Sequence, residues 1–228
     1  MMKKYIVAPS VLSANYLILK DELTAIKAAG AQWIHFDVMD GDFVPNLTFG
    51  PKILADITSY SDLFLDCHLM VKIKNDSVEN YLMPFIQAGS SAITLHYEAL
   101  TPSQLTEFLT LRAKLKLKIG LAVKPATPID VIIPHLNSLD LVLIMTVEPS
   151  FGGQAFISTA AASKIKTLRN YLDQNKMQTL IEVDGGINAE TTKVCKQYGV
   201  DVLVAGSYLF GHADLAIRVK ELMTDESK

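Results

Sequence analysis

The sequence predicts an α/β fold of the (β/α)8 TIM-barrel type, with eight parallel strands in a single domain over residues 1–228. Three observations predict it. Short apolar runs rich in β-branched residues recur at the spacing of one strand, one helix and two loops. Segments with helical period lie between them. No Pro/Gly/Ser-rich linker divides the 228 residues, and 50% of them are hydrophobic, enough to bury one large core without a disulfide or structural metal.

In chain order, the spacing predicts strands at residues 5–8, 33–38, 64–69, 92–95, 118–123, 141–145, 180–183 and 202–205. Leu23, Ile26 and Lys27 belong to the first helix, Leu105, Phe108, Leu109 and Leu111 to the fourth, and Ile165, Leu168 and Leu172 to the sixth. Thr127 before Pro128 reads as a cap and first position for the fifth helix. Asn188 caps the seventh, with Thr191 and Thr192 in its first turn. Gly30, Gly89 and Gly199 stand where helices should stop. The polar tail, residues 224–228, is expected to fray. An open doubly wound sheet fits less well, because the turn after the first strand is Pro9-Ser10-Val11-Leu12 rather than glycine-rich.

Twenty-one Lys and Arg face 24 Asp and Glu, a net charge of −3 with no basic block, which argues against a nucleic-acid partner. Met1-Met2-Lys3-Lys4 imitates the start of a signal peptide, but Pro9, Ser10, Ser13 and Asn15 break the apolar stretch behind it. No apolar run approaches the ~20 residues that span a bilayer. Cys67 and Cys195 lie far apart and form no CxxC pattern, so both read as reduced thiols of a soluble, cytoplasmic protein.

In such barrels function collects at the carboxyl ends of the strands. The second strand ends His35-Phe36-Asp37-Val38-Met39, and side chains two apart share a face, so His35, Asp37 and Met39 point one way. The third aligns His68 with Met70, and the seventh ends in Asp184. An isolated ionisable group inside a barrel costs several kcal/mol unless it is paired or bound to metal. His35, Asp37, His68 and Asp184 satisfy one another best around one divalent cation per chain. Their nitrogen and carboxylate donors suit zinc or iron first, with manganese and cobalt as alternatives, better than calcium. His96 ends the fourth strand without a matching carboxylate and reads as a core or rim residue, while His135 and His212 read as surface residues. Met39, Met70 and Met145 are either core filler or a polarizable, water-poor wall around substrate.

Glycine forms a second constellation. Ser150-Phe151-Gly152-Gly153-Gln154 follows strand six, Gly185-Gly186 follows strand seven, and Gly206-Ser207 follows strand eight. Backbone N–H groups in such turns bind phosphate, and barrels place that site at their last loops.

These residues carry a resemblance to the ribulose-phosphate 3-epimerase family over nearly the whole chain. The matching strings are Ala8-Pro9-Ser10-Val11-Leu12-Ser13-Ala14, His35 through Gly41 continuing Phe43-Val44-Pro45-Asn46-Leu47-Thr48-Phe49-Gly50-Pro51, and Asp66-Cys67-His68-Leu69-Met70-Val71. Further on come Leu143-Ile144-Met145-Thr146-Val147, Phe151-Gly152-Gly153-Gln154, Glu182-Val183-Asp184-Gly185-Gly186 and Ala205-Gly206-Ser207. The resemblance implies interconversion of D-ribulose 5-phosphate and D-xylulose 5-phosphate by inversion at C3. It implies that Asp37 and Asp184 are the acid/base pair, that His35, Asp37, His68 and Asp184 hold the metal, that Ser10 and His68 touch substrate, and that the three glycine loops hold phosphate. The expected assembly is a homo-oligomer, dimer or hexamer. Three residues depart from the family pattern: Ser150 where glycine is usual, Glu148 where asparagine or aspartate is common, and Asp42 after Gly41.

The rival readings are a six-carbon ketose phosphate epimerase, a non-catalytic sugar-phosphate sensor, and a phosphate-barrel decarboxylase or aldol-type synthase. Met39 stands where the last of these would need lysine, and a sensor would be expected to lose one of the two aspartates.

Overall fold

The computed structural model describes residues 5–115, 117–150 and 153–224. Eight strands form one parallel sheet: β1 (Ile6–Pro9), β2 (Trp33–Met39), β3 (Phe64–Met70), β4 (Ala92–His96), β5 (Lys118–Val123), β6 (Leu141–Met145), β7 (Leu180–Asp184) and β8 (Val202–Ala205). Their order is β1-β8-β7-β6-β5-β4-β3-β2. A parallel bridge between Ser10 and His35 carries the end of β1 to β2 and brings the sheet round to a nearly closed TIM barrel.

The strands begin and end within one residue of the expected bounds. Five of them run one residue further at the carboxyl end, to Pro9, Met39, Met70, His96 and Asp184, because the ladders continue there as Pro9↔Ala205, Met39↔Met70, His96↔Ala122 and Met145↔Asp184.

Among the described residues seven α-helices cover the barrel: α1 (Leu19–Ala28), α2 (Pro51–Tyr60), α3 (Val78–Gln87), α4 (Pro102–Leu115), α5 (Ser158–Gln174), α6 (Thr191–Tyr198) and α7 (Leu215–Met223). Leu23 and Ile26 turn the apolar face of α1 inward, while Lys27 on its outer side pairs with Asp62 at 2.5 Å. Phe108 and Leu111 do the same for α4, and Ile165, Leu168 and Leu172 for α5. Asn188 Oδ1 accepts the N–H groups of Glu190 and Thr191 at 2.9 and 3.0 Å, which satisfies the start of α6 as expected. The helix ends at Gly199, whose φ of +98° is the left-handed conformation of a C-cap. Thr224 closes α7 through its N–H to Lys220 O, and residues 225–228 of the expected frayed tail lie outside the described residues.

The fifth connection differs from expectation. It holds two 3-10 turns, Ile129–Val131 and Ile133–Ser138, and no α-helix. Pro134 lacks the N–H that a continuing helix would need. Thr127 caps nothing, since its hydroxyl donates to the Glu98 carboxylate instead.

Strand period two separates two environments. Ile34, Phe36 and Val38 of β2 pack into the apolar layer under the helices. The alternate residues, His35, Asp37 and Met39, face the barrel interior. Fully burying Ile34, Phe36 or Val38 contributes roughly 1.5–3 kcal/mol each. A one-residue slip would exchange the two faces, so packing of the helix layer fixes where the histidine and aspartate point.

Candidate active site

The register of β2 on β3 builds the site. It sets His35 beside Asp66, Asp37 beside His68, and Met39 beside Met70. Strand β7 then brings Asp184 to the same rim. The four side chains that the strand ends suggested converge: one donor atom from each of His35, Asp37, His68 and Asp184 lies within 4.8 Å of the others. Asp37 Oδ1 is 3.2 Å from His35 Nε2 and 3.1 Å from His68 Nδ1. The two ring nitrogens are 3.3 Å apart. Asp184 Oδ2 stands 3.8 Å from each. Ligands of a tetrahedral ion at ~2.0–2.1 Å are separated by ~3.3 Å, so this donor set could hold a metal ion with little movement.

Electrostatics pull the two aspartates in opposite directions. Burial alone would raise Asp37, but the charges and hydrogen bonds of His35 and His68 hold its carboxyl well below the ordinary range. Ser10 Oγ also donates to Asp37 Oδ2 at 2.5 Å. Asp184 is pushed up to about 6, first by burial and then by the charge of Asp37. His35 is raised well above its usual value, since Asp37 and Asp66 outweigh the opposing effect of burial.

The two histidines turn opposite nitrogens toward this centre, and different groups stand behind them. His35 Nδ1 meets Asp66 Oδ2 at 2.6 Å and lies 3.8 Å from Glu182 Oε1. Burial, and then the charge of Asp66, push Glu182 well above the carboxylate range. Sequence reasoning missed both acids. The signal was present, because Asp66 shares a strand face with His68, and Glu182 with Asp184.

Behind His68 stands His96, with the Nε2 atoms 2.8 Å apart. Contrary to expectation, His96 has a matching carboxylate: Glu98 Oε2 lies 3.4 Å from its Nδ1. Glu98 follows β4 in a 3-10 turn, Tyr97–Ala99, where strand periodicity gives no guide to its direction. Its carboxyl is lowered to about 2. Burial opposes this shift, and hydrogen bonds from His96, Thr127 and the Lys124 N–H overcome it. Burial holds His96 down to about 4.

A cleft of about 340 Å³ opens above the rim, within the size of small-molecule sites. Ser10, Asp37, Met39, Met70, Met145 and Asp184 line its inner end. Ser150, Gly153, Gly185, Gly186, Gly206 and Ser207 line the outer end, where Asn188, Thr191, Tyr208 and Arg218 join them. Phe151 and Gly152 lie outside the described residues. His212 is exposed, as expected, yet also lines the cleft, with Nε2 3.2 Å from Ser207 O. His135 is half-buried and stands in a separate groove beside α4.

Two glycines shape the outer end. Gly186 has φ +66°, and a Cβ there would stand 2.9 Å from Phe156 N and 3.0 Å from Gln154 O. A Cβ on Gly206 would strike the Ser13 hydroxyl. The N–H groups of Gly186, Ile187, Ser207 and Tyr208 find no backbone acceptor among the described residues. Such unpaired donors at two neighbouring turns suit an anion.

The residues that depart from the family pattern have local partners. Asp42 pairs with Lys72 at 3.5 Å and with Lys74. Ser150 Oγ accepts from Gln154 Nε2 at 3.1 Å, and the Glu148 carbonyl accepts from the same amide at 2.8 Å. Both cysteines are free and buried, and burial pushes each thiol up to about 12. No helix among the described residues is long and apolar enough to cross a membrane.

A barrel whose carboxyl-end rim gathers two histidines and two aspartates able to hold a metal ion, beside glycine turns open to an anion, has the makings of a barrel enzyme for small anionic substrates. The chain belongs to the ribulose-phosphate 3-epimerase family, a family of isomerases, whose model matches residues 6–210. It is 41% identical over 217 residues to the ribulose-phosphate 3-epimerase of Mycobacterium leprae, covering 95% of this chain and 93% of that one. The Bacillus subtilis enzyme of the same name is also 41% identical over 217 residues, covering 95% and 97%. The chloroplastic ribulose-5-phosphate-3-epimerase of Arabidopsis thaliana is 40% identical over 215 residues, 94% of this chain and 75% of that one. Among solved structures, a mutant tryptophan synthase α-subunit from Pyrococcus furiosus superposes with a TM-score of 0.71 at 15% identity, covering 97% of this chain and 99% of that one. That likeness is one of fold.

Proposed function

We propose that this chain interconverts D-ribulose 5-phosphate and D-xylulose 5-phosphate by moving a proton at C3. One observation carries the reading: Asp37 and Asp184 belong to one metal-type cluster, line one cleft, and differ in proton affinity. Neighbouring titratable groups whose environments push them apart are the pattern of an acid and a base.

Asp37, held ionised and steadied by the Ser10 hydroxyl, is placed to remove the C3 proton of one epimer. The C3–H electron pair forms the C2–C3 double bond, and the C2 carbonyl oxygen takes the negative charge. Asp184, whose proton affinity is the higher of the two, delivers a proton to the opposite face of C3, and the carbonyl re-forms. The reverse reaction exchanges the roles. His35, Asp37, His68 and Asp184 would hold the divalent ion, zinc or iron first on ligand chemistry. When bound, that ion supplies Lewis-acid stabilisation of the negative charge that proton removal creates. Met39, Met70 and Met145 wall the inner end with apolar, polarizable side chains and limit water there. The turns at Gly153, Gly185, Gly186, Gly206 and Ser207 would hold the phosphate. Binding energy from that non-reacting group positions C3 between the two acids.

We place the enzyme in the cytoplasm, in keeping with its two free thiols. We also take it to assemble as a homo-oligomer, dimer or hexamer, a reading that the exposed Leu17 and Leu47 support. Sedimentation equilibrium tests the assembly, and a mass of one chain would remove it.

The catalytic reading is tested with a panel of five- and six-carbon ketose phosphates in a coupled assay. D-ribulose 5-phosphate should be the best substrate. Failure to epimerise any of them would overturn the proposal.

A further inference from the structure

We infer that His96 and Glu98 are positioning residues that set the tautomer of His68 and so prepare its Nδ1 to hold a divalent cation. The inference rests on the proposed metal site.

His68 turns Nδ1 toward Asp37, at 3.1 Å, on the side where the four donor atoms meet. A neutral imidazole that offers Nδ1 as a ligand must carry its hydrogen on Nε2. That Nε2 is 2.8 Å from Nε2 of His96. Two nitrogens this close share one hydrogen, so if His68 donates, His96 must accept. His96 can accept at Nε2 only with its own hydrogen on Nδ1. The group facing Nδ1 is Glu98 Oε2, at 3.4 Å, an acceptor that suits this tautomer. The polar chain therefore runs one way: His68 Nε2–H to His96, and His96 Nδ1–H to Glu98.

Glu98 is held for the task. Its Oε1 accepts the Lys124 N–H at 2.7 Å and the Thr127 hydroxyl, both from the segment after β5. This tether leaves Oε2 toward His96. Both rings are fully buried, so water does not offer an easy alternative partner. Without Glu98, His96 could turn its hydrogen onto Nε2. Two donors would then face each other, and His68 would be driven to put its own hydrogen on Nδ1, where the cation must bind. Partners behind a metal-bound histidine typically change metal affinity by ~10–100-fold.

The test uses zinc ion as probe, on the whole protein, with folding checked by circular dichroism. A chromophoric chelator competes for the ion at fixed pH. His96→Leu should weaken zinc binding by ~10–100-fold. His96→Gln keeps an acceptor toward His68 and should recover most of that loss, whereas a filler role for the ring would not favour Gln over Leu. Glu98→Ala should weaken binding by a smaller factor. Imidazole nitrogen chemical shifts supply a second readout that needs no metal. Wild type should show His96 protonated on Nδ1 and His68 protonated on Nε2, and Glu98→Ala should shift both populations.

Equal zinc affinity in wild type and folded His96→Leu would overturn the inference. So would wild-type His96 protonated on Nε2. If wild type binds no zinc or other divalent ion, the metal reading itself falls, and the tautomers still decide the question of positioning.

Discussion

The inner and outer ends of the cleft are built by different means. At the inner end, side chains on β2, β3 and β7 supply the proposed acid/base and metal-holding groups, and the sheet ladders fix their directions. At the outer end, backbone N–H groups in turns after the strands are the proposed binding groups, and a Cβ at Gly186 or Gly206 would meet its neighbours closely. The difference teaches where a substitution should be felt. Damage at the inner end should appear in turnover and metal content, and damage at the outer end in substrate affinity.

The largest effect breaks the inner end. Asp37→Asn and Asp184→Asn should each lower turnover by at least ~100-fold, the low end of what a positioned acid or base contributes. The two variants should differ in which epimer still exchanges its C3 hydrogen with solvent deuterium. Near-normal epimerisation by either would end the two-base assignment.

A pH effect belongs to the same end. Asp184 is raised to about 6 in the metal-free protein. Its contribution to folding stability is therefore fully present below the ordinary aspartate value of ~3.9 and is lost as pH rises toward 6. A bound cation requires the ionised form, so zinc affinity should fall by up to ~10-fold for each pH unit below 6. In Asp184→Asn the stability slope in that window should flatten. Zinc affinity that stays constant from pH 7 to pH 5 would contradict the placement of Asp184 in the ligand set.

Gly206→Val sharpens the contrast from the other side. Its side chain would press on Ser13 at the turn proposed to hold phosphate. KM for the phosphorylated ketose should rise by ~10-fold or more, while zinc per chain stays unchanged. A folded variant with unchanged KM would move the phosphate site elsewhere.

The smallest effect concerns Ser150, which ties Gln154 beside the outer end. Wild type should favour the five-carbon ketose phosphate by at least ~10-fold in kcat/KM, about 1.4 kcal/mol. Ser150→Gly should leave that preference unchanged or increase it. A wild type that prefers the six-carbon sugar, reversed by Ser150→Gly, would show that this loop selects the substrate.

The same contrast governs what the sequence made legible. His35, Asp37, His68 and Asp184 could be read from strand period alone, because a ladder converts spacing into direction. Asp66 and Glu182 obeyed the same rule one layer deeper, but attention to the strand ends passed over them. Glu98 could not be placed that way. It lies in a 3-10 turn, and its partners Lys124 and Thr127 come from the next unit. The fifth connection misled for a related reason. Thr127-Pro128 is a fair helix start in isolation, but tertiary contact with Glu98 takes the threonine hydroxyl, and Pro134 withholds a backbone donor. At the outer end glycine signalled the turns, though not which N–H groups they leave open.

The most direct test of the central claim is metal content set against activity. Purified enzyme should carry about one divalent ion per chain, lose epimerisation when a chelator removes it, and recover on adding the ion back. Full activity from protein shown by elemental analysis to be metal-free would contradict the account.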